Sequence, residues 1–151
     1  MGKSKKVVTK EKITGGKTPV IQESPESYLK KRPSWRFNRC DESCNGKWCV
    51  KSHNEFTEIL SKLEVFEKMT WDEINKDSRN NNNKHHFIAR DKWIKEAQKR
   101  ADELKLFDYD QLFSFALDGK RRLWGILEDG VFTIVWYDPK HEICPSNKKH
   151  T

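Results

Sequence analysis

The sequence predicts an α+β domain in which amphipathic helices pack on a C-terminal three-stranded antiparallel β-meander. Three observations carry that expectation. Between Gln111 and Cys144, three short runs of aromatic and β-branched residues are separated by Asp118-Gly119 and Asp129-Gly130. Asp-Gly between apolar runs is a strong hairpin signal, because glycine tolerates positive φ. Upstream, Phe56, Ile59, Leu60, Leu63, Phe66 and Met69 recur at three- and four-residue steps, the period of a helix with one apolar stripe. Trp93, Ile94, Ala97, Ala101 and Leu104 repeat that pattern between Asp91 and Leu106. Because an isolated meander buries too little apolar surface to stand in water, the helices must cover it.

Charge is distributed unevenly along the chain. A length of 151 residues fits one domain plus a tail, and 34% hydrophobic against 35% charged residues is low in apolar content for a chain that folds throughout. Residues 1–33 hold nine Lys and Arg against three Glu, six of the seven net positive charges. The expected organisation is therefore a flexible basic N-terminal tail, 1–33, ahead of a near-neutral single domain, 34–151. The pI of 9.2 then describes the tail rather than the domain. Such a tail can still touch RNA, DNA or the ribosome. No apolar run approaches a membrane span, and the basic start lacks the apolar stretch of a secretory signal; a cytoplasmic protein without a membrane partner is expected.

Taken in order, Trp35-Arg36-Phe37 alternates as a candidate added edge strand. The following loop holds Cys40, Cys44 and Cys49, and with His53 these make C-x3-C-x4-C-x3-H. Four such ligands suit tetrahedral zinc, although no C-x2-C knuckle is present. Reduced thiols without a role are the preferred reading, and disulfides the least expected in a reducing compartment. Ser52 and Glu55 form a capping box at the start of the first helix, and Thr70 with Glu73 forms another ahead of a short helix from Trp71 to Lys76. Asp77 to Lys84 reads as an exposed polar loop. His85-His86-Phe87-Ile88 reads as a short strand whose imidazoles either pack or supply acid/base chemistry. Asp91 is the expected N-cap of the second long helix, and Lys92, Lys95, Lys99 and Arg100 lie on its solvated side.

Within the meander, alternation sets Lys120, Arg122, Trp124 and Ile126 on one face of the middle strand and Arg121, Leu123, Gly125 and Leu127 on the other. The same rule groups Tyr137 with Val131, Thr133 and Val135, and Trp136 with Phe132 and Ile134. Apolar residues on both faces imply cover on both. Gly125 in mid-strand implies close backbone approach or a bulge. The polar residues at the end of this sheet are the strongest candidates for chemistry. Asp138 and His141 stand three residues apart in a turn, so that Asp138 can orient His141 as a general base, while Lys120, Arg121 or Arg122 binds a phosphate. An ordinary Asp-Pro turn with an exposed His explains the same residues.

The stretch RRLWGILEDGVFTIVWYDPKHEICPS, with SHNEFTEIL, MTWDEI and KHHFI, resembles a widespread set of uncharacterised small proteins of bacteria and their mobile elements. That resemblance brings no established activity. In element order, amphipathic helices followed by a meander ending in polar residues, the chain also resembles the RelE/ParE toxin superfamily, whose members include ribosome-dependent messenger-RNA endonucleases. This second resemblance implies basic residues on the sheet and a Tyr or His near the C-terminus that activate the ribose 2′-OH; the matching types are Lys120, Arg121, Arg122, Tyr137 and His141. It also implies an antitoxin-like protein partner. The near-neutral core and the Asn-rich loop depart from that family's usual plan. The expectation is an RNA-directed, toxin-like endoribonuclease needing no metal or cofactor, with a non-enzymatic protein- or nucleic-acid-binding accessory module as the alternative.

Overall fold

The two Asp-Gly pairs do sit at strand reversals. In the computed structural model, which describes residues 27–43, 47–80 and 85–145, Asp129 and Gly130 take φ of 55° and 82°, and Gly119 takes 41°. Successive positive φ values give a turn whose twist matches that of the flanking strands. They join β3 (Gln111–Asp118), β4 (Arg121–Glu128) and β5 (Val131–Asp138). The α+β class holds, but the sheet is not a three-stranded antiparallel meander. It is a five-stranded mixed sheet in which β1 (Ser34–Arg36) and β2 (His86–Ala89) flank the hairpins in the order β1-β5-β4-β3-β2. β2 pairs antiparallel with β3, whereas β1 runs parallel to β5, with Trp35 opposite Phe132.

The helices cover both faces. α1 (His53–Phe66) and α2 (Trp71–Asn80) lie on one, where Ile59, Leu63, Trp71 and Ile74 meet Phe113, Phe115, Leu123 and Phe132. Trp71 is fully buried, packs edge-on against Trp35, Phe113 and Phe115, and donates from Nε1 to the Gly130 carbonyl at 3.0 Å. α3 (Lys95–Glu103) lies on the other face, bringing Ala97 and Ala101 together with Trp93, Trp124, Trp136 and Ile143. The small alanines let that helix approach closely, and the tryptophans fill the space around it.

The Thr70/Glu73 capping box forms in full, whereas at α1 Ser52 caps but the Glu55 carboxylate accepts from the Lys51 amide at 2.6 Å rather than from Ser52. Ser52 Oγ accepts from the Glu55 amide at 3.1 Å, and Thr70 exchanges backbone and side-chain hydrogen bonds with Glu73. Two boundaries differ from expectation. α2 runs on through residues read as loop, and α3 begins at Lys95 because Arg90–Lys92 forms a 3-10 turn and Ile94, not Asp91, is its N-cap. The packed chain also begins upstream of residue 34. Tyr28 and Leu29 pack on the α1/α2 side, and the Lys31 carbonyl accepts from the Trp71 amide at 2.9 Å. The remainder of the basic tail lies outside the described residues.

A bulge reverses the expected alternation in β5. Trp124 stands opposite Trp136 while Gly125 stands opposite Ile134, which leaves Val135 without a ladder partner. An extra residue shifts the two-residue period by one. Downstream of it Trp136 joins the α3 face and Tyr137 joins Phe132 and Ile134 on the α1/α2 face, the reverse of simple alternation. Gly125 is required there, since a Cβ would lie 2.1 Å from the Thr133 carbonyl oxygen.

Candidate functional site

One end of the sheet collects most of the residues singled out from the sequence. The start of β2, the end of β3, the start of β4 and the end of β5 meet there, so His85, His86, Arg121, Arg122, Tyr137, Asp138 and His141 share a neighbourhood. Lys120 is exposed in the β3–β4 turn rather than on a strand. The pleat then divides the set. Arg121 and Tyr137 fall on the α1/α2 side, and Arg122 and Asp138, paired across the ladder, on the α3 side.

Most of these groups are held by structural contacts. Arg121 grips Asp118 with Nε and Nη2 at 2.7 and 2.5 Å and reaches Glu58 of α1 at 2.7 Å. Those contacts hold its guanidinium above the usual arginine value and Asp118 below the usual carboxylate range. Tyr137 is buried. Asp138, also buried, accepts the Glu142 amide on one oxygen at 2.9 Å and the Ile143 amide on the other at 3.0 Å. The expected pairing of Asp138 with His141 is thus replaced by a turn in which the carboxylate holds backbone amides.

Arg122 differs. Its Nη1 donates to the Gly119 and Arg121 carbonyls at 2.6 and 3.1 Å, and among the described residues no carboxylate forms an ion pair with it. Burial lowers its pKa, against the pull of Asp138 and Asp118. Its charge in turn reaches both neighbouring imidazoles. His141, in the left-handed region at φ 58°, is pushed below its ordinary value by burial and by Arg122. His85 is pushed down to about 4 by burial, Arg122 and His86. Its Nδ1 accepts the Ala116 amide at 2.9 Å and its ring lies on Phe115, so it acts as a packing and capping residue. His86 is exposed; it shares the face of Ile88, which packs toward α3.

The cysteine loop behaves differently from expectation. Cys40 and Cys144 are free, but Cys49 is disulfide-bonded to a partner outside the described residues. A bonded sulfur is no thiolate ligand; of the sequence-predicted zinc set Cys40, Cys44, Cys49 and His53, Cys44 lies outside the described residues, among which no three His, Cys, Asp or Glu are placed to hold a metal ion. The loop lies beside β5. It doubles back along the free edge of β5, with the Asp41 amide on the Val135 carbonyl at 2.8 Å and the Tyr137 amide on the Trp48 carbonyl at 2.9 Å.

Asp41, not singled out from the sequence, anchors that loop together with Arg100, a residue expected on the solvated side of its helix. Asp41, fully buried at its side chain, accepts Arg100 Nε and Nη2 at 2.8 Å each, Trp136 Nε1 at 3.0 Å and the Ser43 amide at 3.2 Å. Burial pushes Asp41 up, and the hydrogen bonds from Arg100, Trp136 and Ser43 outweigh it, leaving the carboxyl below its usual value. Spacing offered the signal: Arg100 stands three after Ala97 and four before Leu104, on the buried side of α3 rather than in the solvated row.

No protein-family model, curated protein or solved structure matches this chain. Among the described residues no helix is long and apolar enough to cross a membrane.

Proposed function

We propose that this protein acts on RNA at the Arg122 end of its sheet, as a toxin-like endoribonuclease. One observation carries the reading. Arg122 is a half-buried guanidinium without a carboxylate partner among the described residues, beside imidazoles that burial and its charge push below their ordinary value. A neutral His141 accepts the proton of a ribose 2′-OH, whose oxygen attacks the adjacent phosphorus. Arg122 donates to the phosphate oxygens as their charge grows. The 5′ oxygen leaves, taking a proton from water or His86, and a 2′,3′-cyclic phosphate results. Lys120 and the basic tail add contacts along the backbone. Ribosome and antitoxin-like protein are the partners of this reading.

The test is cleavage of a messenger RNA by the purified full chain, and growth on tightly induced expression in a bacterial host. Loss of cleavage in folded His141→Ala and Arg122→Ala variants supports the reading. Intact RNA with abundant folded wild-type protein, or cleavage that survives both substitutions, overturns it.

A second reading, an accessory module that binds without cleaving, is favoured by the commitment of Arg121, Tyr137 and Asp138 to structural contacts. It expects salt-sensitive RNA affinity that weakens in Arg122→Ala, with no product formed.

A further inference from the structure

We infer that the cleft between residues 37–42 and 48–50, the beginning of α1 and the outer edge of β5 binds a small apolar organic cation: an amine carried on an aromatic or branched hydrocarbon body. This inference stands apart from the RNA reading, with whose residues it shares only Tyr137.

The cleft encloses about 420 Å³, within the range of small-molecule sites, roughly 300–1,000 Å³. Phe37, Trp48, Phe56, Ile59, Ile134 and Trp136 are among the residues that line it. Its rim is apolar and in water. Phe37 and Phe56 are each 40% exposed and meet edge-on with centroids 6.2 Å apart, while Val50 beside them is 41% exposed. The apolar stripe of α1, expected to lie wholly on the sheet, is thus only partly covered: Ile59 and Leu63 are buried, but Phe56 and Leu60 face outward.

Charge selects the ligand. Among the described residues lining the cleft, the charged ones are Asp41 and Glu42, with no Lys, Arg or His. Arg100 answers Asp41 through two hydrogen bonds, whereas Glu42 makes no ion pair among the described residues. Burial, with the Glu42 charge adding to it, pushes the Cys40 thiol up to about 11. Ring faces and a carboxylate both attract a cation, and both disfavour carboxylates and phosphates. The walls take an apolar body, and the rim takes an ammonium group.

Calorimetric titration of the full chain tests this, with tryptamine as probe and indole-3-propionate as its charge-inverted counterpart. Tryptamine is expected to bind about tenfold more tightly than the propionate. Glu42→Gln, at an exposed position, should shrink that preference to about threefold or less, and Phe56→Ala should weaken both ligands. Equal binding of the two indoles, a preference that survives Glu42→Gln, or no tryptamine binding at millimolar concentration overturns the inference.

Discussion

Asp41 and Arg100, 59 residues apart, meet through two parallel hydrogen bonds of 2.8 Å, and Trp136 donates to the same carboxylate. This one buried group joins the cysteine loop, α3 and the last strand. Removing one partner of such a pair leaves an uncompensated buried charge, which costs about 3–5 kcal/mol. Arg100→Ala is expected to destabilise by about 3 kcal/mol in urea denaturation, and Arg100→Lys to recover only part of it, because an ammonium does not reproduce the two-point fit.

The neighbouring arginines of β4 should part in their effects. Arg121→Ala takes the Arg121 contact from Glu58 and leaves Asp118 with Lys62 at 3.4 Å, on the helix-covered face, and is expected to lower stability by about 1–2 kcal/mol. Arg122→Ala breaks contacts to backbone carbonyls near solvent and should cost under about 1 kcal/mol while removing RNA affinity or cleavage. Denaturation midpoints and RNA titration on the same two proteins check this.

Stability should fall on mild acidification through His85. Its folded value of about 4 lies below the ordinary 6.5, so between those limits the unfolded chain binds a proton that the folded chain refuses. Stability is then full above pH 6.5 and declines towards pH 4, by at most about 3 kcal/mol. Protonating Nδ1 would also break the Ala116 hydrogen bond. His85→Leu should be less stable at pH 7.5 and flatter across this window in denaturant titrations. Asp41 and Asp118, both held low, contribute above the ordinary carboxylate value of 3.8 and lose that contribution at still lower pH.

Gly125→Ala is expected to destabilise by about 2 kcal/mol or more, since the added methyl meets backbone at 2.1 Å and no side chain can swing aside. Gly119→Ala, with open space around the Cβ, should cost less, through its positive φ alone. Thermal melts of the two variants separate steric overlap from backbone strain.

Local chemistry made part of this legible in advance. The hairpins follow from Asp-Gly turns, and the helix starts from Ser52/Glu55 and Thr70/Glu73, because each depends on residues a few positions apart. The parallel pairing of Ser34–Arg36 with β5 depends on chain ends that only the whole fold brings together, and nothing near Trp35 specifies it. The site was legible as a neighbourhood but not as a mechanism. Alternation placed Arg121 and Arg122 on opposite faces, yet it had no means of showing that Asp138 would spend both oxygens on the amides of Glu142 and Ile143. Asp41 was hidden for the same reason: its partners lie on α3 and β5.

The bulge at Val135 sets the face that each of the next three residues takes. A strand carries only one bit of information about sides, and an inserted residue inverts that bit for the rest of its length. Trp136 reaches Asp41, Tyr137 enters the opposite core, and Asp138 closes its turn beside Arg122 only because the count is odd. Deleting Val135 would remove the bulge yet keep Trp136 opposite Trp124, so the side chains after it would keep their faces. Drawing Val135 into the ladder as a paired residue would instead exchange the faces of Trp136, Tyr137 and Asp138 and, with them, the side of the sheet on which the turn after Asp138 is built.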